Sequence, residues 1–187
     1  MEIELATKMG FCFGVRRAIE LTERAIREQG SVASLGAIVH NRQVMDGFAT
    51  QGMRIVDSLD AIHSGALIIP SHGVGPQIID QINARNLNLI DTTCPIVRKA
   101  QMVAQRLHQE GFKVLVFGDA SHPEVKGVLS WAGDDAIATL EVPEFGIPPR
   151  RIGILSQTTQ GEAQFASFLA QLITSDLASL SEAYICN

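Results

Sequence analysis

No run of about 18 apolar residues occurs anywhere in the 187-residue chain, and no charged segment followed by an apolar one opens it, so neither a membrane-spanning nor a secretory protein is expected. A basic surplus is missing too. Fifteen Lys and Arg stand against twenty Asp and Glu, a net charge of −5, which argues against a general nucleic-acid binder and for small ligands. Cysteine is scarce: three residues, Cys12, Cys94 and Cys186. An odd count without short spacings fits neither a disulfide framework nor a CxxC zinc or redox motif, and the plain alternative is three buried thiols acting as small hydrophobes. Charged residues make up only 19% of the chain against 46% hydrophobic. That composition fills a sizeable core in one or two domains, and we expect a globular, soluble protein of the cytoplasm.

What is present repeats. Residues 12–40 laid over 94–122 without a gap share nine identities in 29, among them Cys12/Cys94, Arg16/Arg98, Gly36/Gly118 and His40/His122, where chance gives roughly two. One supersecondary unit therefore occurs twice. The residues able to bind metals or move protons repeat with the scaffold.

In chain order, strands are expected at 1–6, 31–36, 54–57, 67–70, 87–91, 114–117, 136–140 and 152–155. Helices are expected at 15–28, after Asn41 to about 52, at 76–84, from Pro95 to Gly111, from Pro123 to about 131 and at 161–174. Residues 142–151, with three prolines, read as an extended surface connection. Strands alternating with helices imply parallel, helix-covered sheets, whose ligands lie off the carboxyl ends of the strands. Cys12, His40, His72, Cys94, His122 and the Thr158-Thr159 pair all fall at such ends; His63 and His108 do not, and read as surface residues. Residues 183–187 resemble the strand that delivers Cys94, without the helix that should follow. We therefore expect a truncated chain: a first α/β unit at 1–93, a second at 94–182, and the start of a third at 183–187.

Three thiolates at strand-to-helix turns converge if the units pack around an axis. With one position left open they suit a zinc with bound water or an iron–sulfur cluster with one iron free. Helix N-termini at Cys12 and Cys94 favour thiolate over thiol. Arg16, Arg17, Arg98 and Lys99 occupy first helical turns, where the dipole disfavours a cation; they either offset a strong negative charge nearby or are simply solvated. Single histidines are usually structural, but His40, His72 and His122 in equivalent loops point to anion binding. Glu124, beside His122, is a proton source if buried. Thr158 and Thr159 can bind and relay, or cap a helix. Alternatives are a zinc-dependent hydrolase using Glu124 as base and an inactive, cluster-free fragment that binds phosphates.

At these residues the chain resembles the 4-hydroxy-3-methylbut-2-enyl diphosphate reductase (LytB) family. The resemblance is carried by residues 10–15 (Gly-Phe-Cys-Phe-Gly-Val), Val39-His-Asn41, Ser71-His-Gly73, residues 91–95 (Asp-Thr-Thr-Cys-Pro), His122-Pro-Glu124 and residues 156–159 (Ser-Gln-Thr-Thr). It implies a pseudo-threefold trefoil of parallel-sheet α/β units, the third largely missing here, around a [4Fe–4S] cluster on Cys12, Cys94 and Cys186. The implied reaction removes the allylic hydroxyl of the substrate with two electrons and protons, giving isopentenyl and dimethylallyl diphosphate, the last step of the non-mevalonate isoprenoid pathway. His40, His72 and His122 would then hold the diphosphate, Glu124 would supply the proton and Thr158 would contact the substrate near the hydroxyl. A small ferredoxin or flavodoxin is the implied electron donor. The family's third unit carries further diphosphate ligands, a Ser-x-Asn motif and a later serine, that have no counterpart in these residues.

Overall fold

Apolar residues at helical spacing in 97–107 and in an unbroken run at 114–117 set the two kinds of element from which the chain is built. The computed structural model describes residues 3–4, 7, 9–30, 32–174 and 180–186. It divides into two units, Met1–Ser71 with Leu87–Cys94, and His72–Asn86 with Pro95–Asn187.

The first unit holds α1 (Phe13–Gln29), β1 (Val32–Leu35), α2 (Arg42–Thr50), β2 (Met53–Val56) and β3 (Ala66–Ile69). After α3 (Pro76–Ala84), which belongs to the second unit, the chain returns to the first as β4 (Asn88–Asp91). The strands form one parallel sheet in the order β2-β1-β3-β4. Ala18, Ile26, Val32, Ile38, Phe48 and Ile68 pack its core.

In the second unit α4 (Pro95–Gln109), β5 (Lys113–Phe117), α5 (Pro123–Leu129), β6 (Ile137–Thr139), β7 (Arg151–Ser156), α6 (Glu162–Thr174) and β8 (Glu182–Cys186) follow in sequence. Its sheet is again parallel, in the order β6-β5-β7-β8. This is the first sheet's order transposed, so the repeat legible over 29 residues extends to whole four-stranded sheets. Pro95 opens α4 where a missing N–H costs nothing, and Val97, Ala104 and Leu107 form the expected buried stripe. From α6, Phe165, Phe168 and Leu172 pack with Leu115, Phe117 and Ile154, and Phe117 stacks on Phe165 at 5.6 Å between ring centroids.

In both sheets the chain leaves the inner strand towards one edge and then returns to the other side of it. The connections after β1 and β3, and those after β5 and β7, therefore diverge at a topological switch point, where parallel sheets open a crevice. Of the expected strand at 1–6, Ile3 and Glu4 are not in a strand; without a paired neighbour the weak alternation there has no ladder to join. Residues 1, 2, 5 and 6 lie outside the described residues, as do Ser31 at the head of the β1 expectation and Asn187 at the end of the last one. His108 lies in the last turn of α4, exposed as expected.

Candidate active site

In the first unit, Cys12 occupies the N-cap position of α1 with its side chain making no capping bond, and it is exposed. Cys94 is half-buried three residues past β4. The two turns meet at Gly14, where a Cβ would lie 2.6 Å from the Cys94 Sγ. Only a hydrogen fits there, so the first turn of α1 rests on the thiol. The backbone leading into Cys94 is held on several sides. Thr92 donates its N–H and hydroxyl to the Ile69 carbonyl, Thr93 donates its N–H to Asp91 Oδ1 at 2.8 Å, and Cys94 donates its N–H to the Ser71 carbonyl at 2.8 Å. Ser71 in turn gives both its N–H and its hydroxyl to the Ile38 carbonyl, two residues before His40. His40 is exposed and precedes Asn41, whose side chain caps α2 by accepting from Val44 N–H.

In the second unit the site is built around Glu124. Its side chain is 4% exposed, and each carboxylate oxygen accepts one bond from Thr158: Oε1 from the backbone N–H at 2.7 Å, Oε2 from the hydroxyl at 2.8 Å. A buried carboxylate satisfied by a single residue on the neighbouring connection ties the end of β7 to the start of α5. His122 caps α5, its Nδ1 accepting from Glu124 N–H at 3.2 Å. The neutral ring then carries its proton on Nε2. His72 is arranged the other way: its Nδ1 faces the Gly73 carbonyl at 3.0 Å, and a carbonyl only accepts, so Nδ1 holds a proton. The His72 loop lies along α5, which approaches it closely at Gly127, 3.3 Å from the His72 carbonyl when a Cβ is placed there. Trp131 Nε1 donates to the Val74 carbonyl at 2.9 Å.

Cys186, half-buried at the end of β8, opens onto a cavity of about 330 Å³ lined also by Thr158, Ser156, Lys99 and Ile96. The third thiol thus shares one cavity with Thr158, the residue bonded to Glu124. Two residues to which the sequence assigned no role brace the neighbouring loops. Gln157, 5% exposed, accepts from Asp119 N–H through Oε1 and donates to Thr159 through Nε2; its place in the Ser-Gln-Thr-Thr run was the available signal. Asp119 accepts from the hydroxyl and the N–H of Ser121. Those two bonds, with the nearby His122 and Lys126 charges, hold its carboxyl below the usual 3.8.

Of the cations expected near these helix starts, Arg16 donates to the Phe11 carbonyl, Arg17 to the Thr93 carbonyl and Arg98 to Gln101 Oε1. Within neither unit do three His, Cys, Asp or Glu side chains gather at metal-ligating range among the described residues. The donor chemistry is that of an iron–sulfur cluster: all three thiols lie outside any disulfide, in the first unit the two cysteine turns press together at Gly14, and in the second Cys186 opens onto a cavity. No described helix is long and apolar enough to cross a membrane.

Residues 3–187 match the LytB protein family. A 4-hydroxy-3-methylbut-2-enyl diphosphate reductase of Dehalococcoides mccartyi is 44% identical over the whole of this chain, which spans 67% of that protein; the reductase of Geobacter metallireducens is 40% identical over 86% of the chain and 57% of its own length. Among solved structures, E-1-hydroxy-2-methyl-but-2-enyl-4-diphosphate reductase from Plasmodium falciparum superposes with a TM-score of 0.85 at 26% identity, covering 96% of this chain and 59% of that one. A second, (E)-4-hydroxy-3-methyl-but-2-enyl diphosphate reductase, gives 0.80 at 30% identity, over 95% of this chain and 64% of that one. The chain therefore spans two thirds or less of these relatives, and neither they nor the family is a zinc hydrolase. The fold, the order of the motifs and these matches agree: the chain belongs to the LytB protein family.

Proposed function

We propose that the chain reduces (E)-4-hydroxy-3-methylbut-2-enyl diphosphate, as its relatives are named for doing, and that the products are isopentenyl and dimethylallyl diphosphate. The observation that carries this is the cavity shared by Cys186 and Thr158, with Thr158 bonded to both oxygens of buried Glu124. The allylic alcohol takes up two electrons and two protons and releases water. Cys12, Cys94 and Cys186 would hold a [4Fe–4S] cluster. When bound, the cluster supplies the electrons one at a time and an iron free to bind the hydroxyl as a Lewis acid.

The chain's own residues manage charge and protons. His122 keeps Nδ1 engaged with its helix and so offers Nε2–H to a phosphate oxygen while neutral. His72, with Nδ1 committed to a carbonyl, can offer Nε2–H only as an imidazolium, which adds a positive charge for the diphosphate. His40, on the corresponding loop of the first unit, is the third donor. Hydroxide leaves poorly unless protonated. A proton on Glu124 Oε2 has the Thr158 hydroxyl 2.8 Å away. Thr158 can accept it and pass its own proton towards the departing oxygen. We place the reaction in the cytoplasm, with a ferredoxin or flavodoxin as electron donor.

Iron and acid-labile sulfide after anaerobic reconstitution test this, in the parent and in Cys186→Ser. Stoichiometric iron and sulfide with turnover in the parent, and loss of both in the variant, are expected. Zinc without sulfide, or turnover that survives the variant, would sink the proposal. In a chain that loads its cluster, Glu124→Gln lowers kcat by about 10²–10⁴ with little change in iron content.

A further inference from the structure

We propose that Arg17 is a positioning residue for the Cys94 thiol: together with Ser71 it clamps the single peptide plane that precedes the thiol. The inference rests on the reading of Cys94 as a cluster ligand. The Thr93–Cys94 peptide unit has one carbonyl and one N–H. Its carbonyl accepts from Arg17 Nη1 at 3.1 Å, and its N–H donates to the Ser71 carbonyl at 2.8 Å. A planar peptide held at both ends resists rotation about its flanking bonds, so the backbone from which Cys94 projects its side chain is restrained. Gly14 closes the third side, within 2.6 Å of the sulfur once a Cβ is placed there.

Arg17 is the fifth residue of α1, and its charge-assisted bond to a half-buried carbonyl 76 residues away joins the helix that follows Cys12 to the turn that carries Cys94. Lys99, the repeat counterpart of Arg17, is among the residues that line the cavity into which Cys186 opens.

Hydrogen exchange on the full chain without its cluster, comparing the parent with Arg17→Gln, Arg17→Lys and the control Arg24→Gln, reads the clamp directly. In Arg17→Gln the Cys94 amide is expected to exchange at least about tenfold faster, while the amides of β1 and β3 keep their parent rates. Arg17→Lys should recover part of the protection and Arg24→Gln all of it. On reconstitution, Arg17→Gln should bind less iron and give an altered electron paramagnetic resonance signal. An unchanged Cys94 amide in Arg17→Gln overturns the proposal. Faster exchange throughout the first unit also overturns it, because Arg17 would then support only the fold. A Cys94-specific loss in a chain whose parent binds no iron leaves the clamp standing and removes the cluster reading instead.

Discussion

Two histidines of the same residue type are given opposite roles by one backbone atom each. His122 faces an N–H donor and His72 a carbonyl acceptor, so their neutral tautomers must differ. Nitrogen-15 spectra of the imidazoles should show Nε2–H for His122 and Nδ1–H for His72; the same tautomer in both would refute the division of labour drawn from it. The capping bond adds a stability consequence. His122→Ala should cost about 1 kcal/mol, as loss of an N-cap does, whereas His122→Asn keeps a capping oxygen and should weaken diphosphate binding alone. Thermal unfolding beside substrate KM separates the two effects. Asp119 sets the pH sense of the same loop. Its folded pKa is depressed, so the stability it lends is fully present above its unfolded value and is lost as pH falls through the lower, folded one.

At the scale of elements, α5 and the loop before α3 are fitted by what is missing from their side chains. Gly75 has an ordinary φ of −75°, so the backbone would accept alanine. The obstacle is contact: a Cβ there would lie 2.4 Å from Ser130 Oγ and 2.8 Å from its Cβ. Gly75→Ala is therefore expected to cost about 1–3 kcal/mol through overpacking, and Gly75→Ala with Ser130→Gly to recover most of it. A double variant as unstable as the single one would show that the contact is not the cause. Beneath the same loop, Gln101 Nε2 is the one buried side-chain polar atom without a hydrogen-bond partner among the described residues. Its Oε1 is engaged by Arg98, which points the amide nitrogen away from that bond.

At the scale of the whole molecule, each unit has its own sheet and its own core. A cavity made in one should loosen that one first. Leu115, fully buried in the second sheet, supplies the test. Leu115→Ala should lower the opening free energy of amides in β5 and β7 by about 2–5 kcal/mol, while those in β1 and β3 change by much less. Equal losses in both units, read by native-state hydrogen exchange, would show that they unfold together.

The sequence by itself determined the two repeated units, their alternation of strand and helix, and the places where Cys12, Cys94, His40 and His122 stand. Hydrophobic period, proline and glycine punctuation and an ungapped repeat are local properties, and secondary structure follows from them closely: the expected helix at 76–84 and α3 share the same bounds. The strand expected at 1–6 shows the limit, since a strand is defined by a neighbour that the local pattern does not name. Only the tertiary structure decided that Glu124 is closed by Thr158, 34 residues on, that Arg17 grips the peptide before Cys94, and that the His72 and His122 rings hold different protons. Each of these is a hydrogen bond between residues far apart in the chain or a choice made by one neighbouring backbone atom, and neither leaves a periodic trace in the sequence.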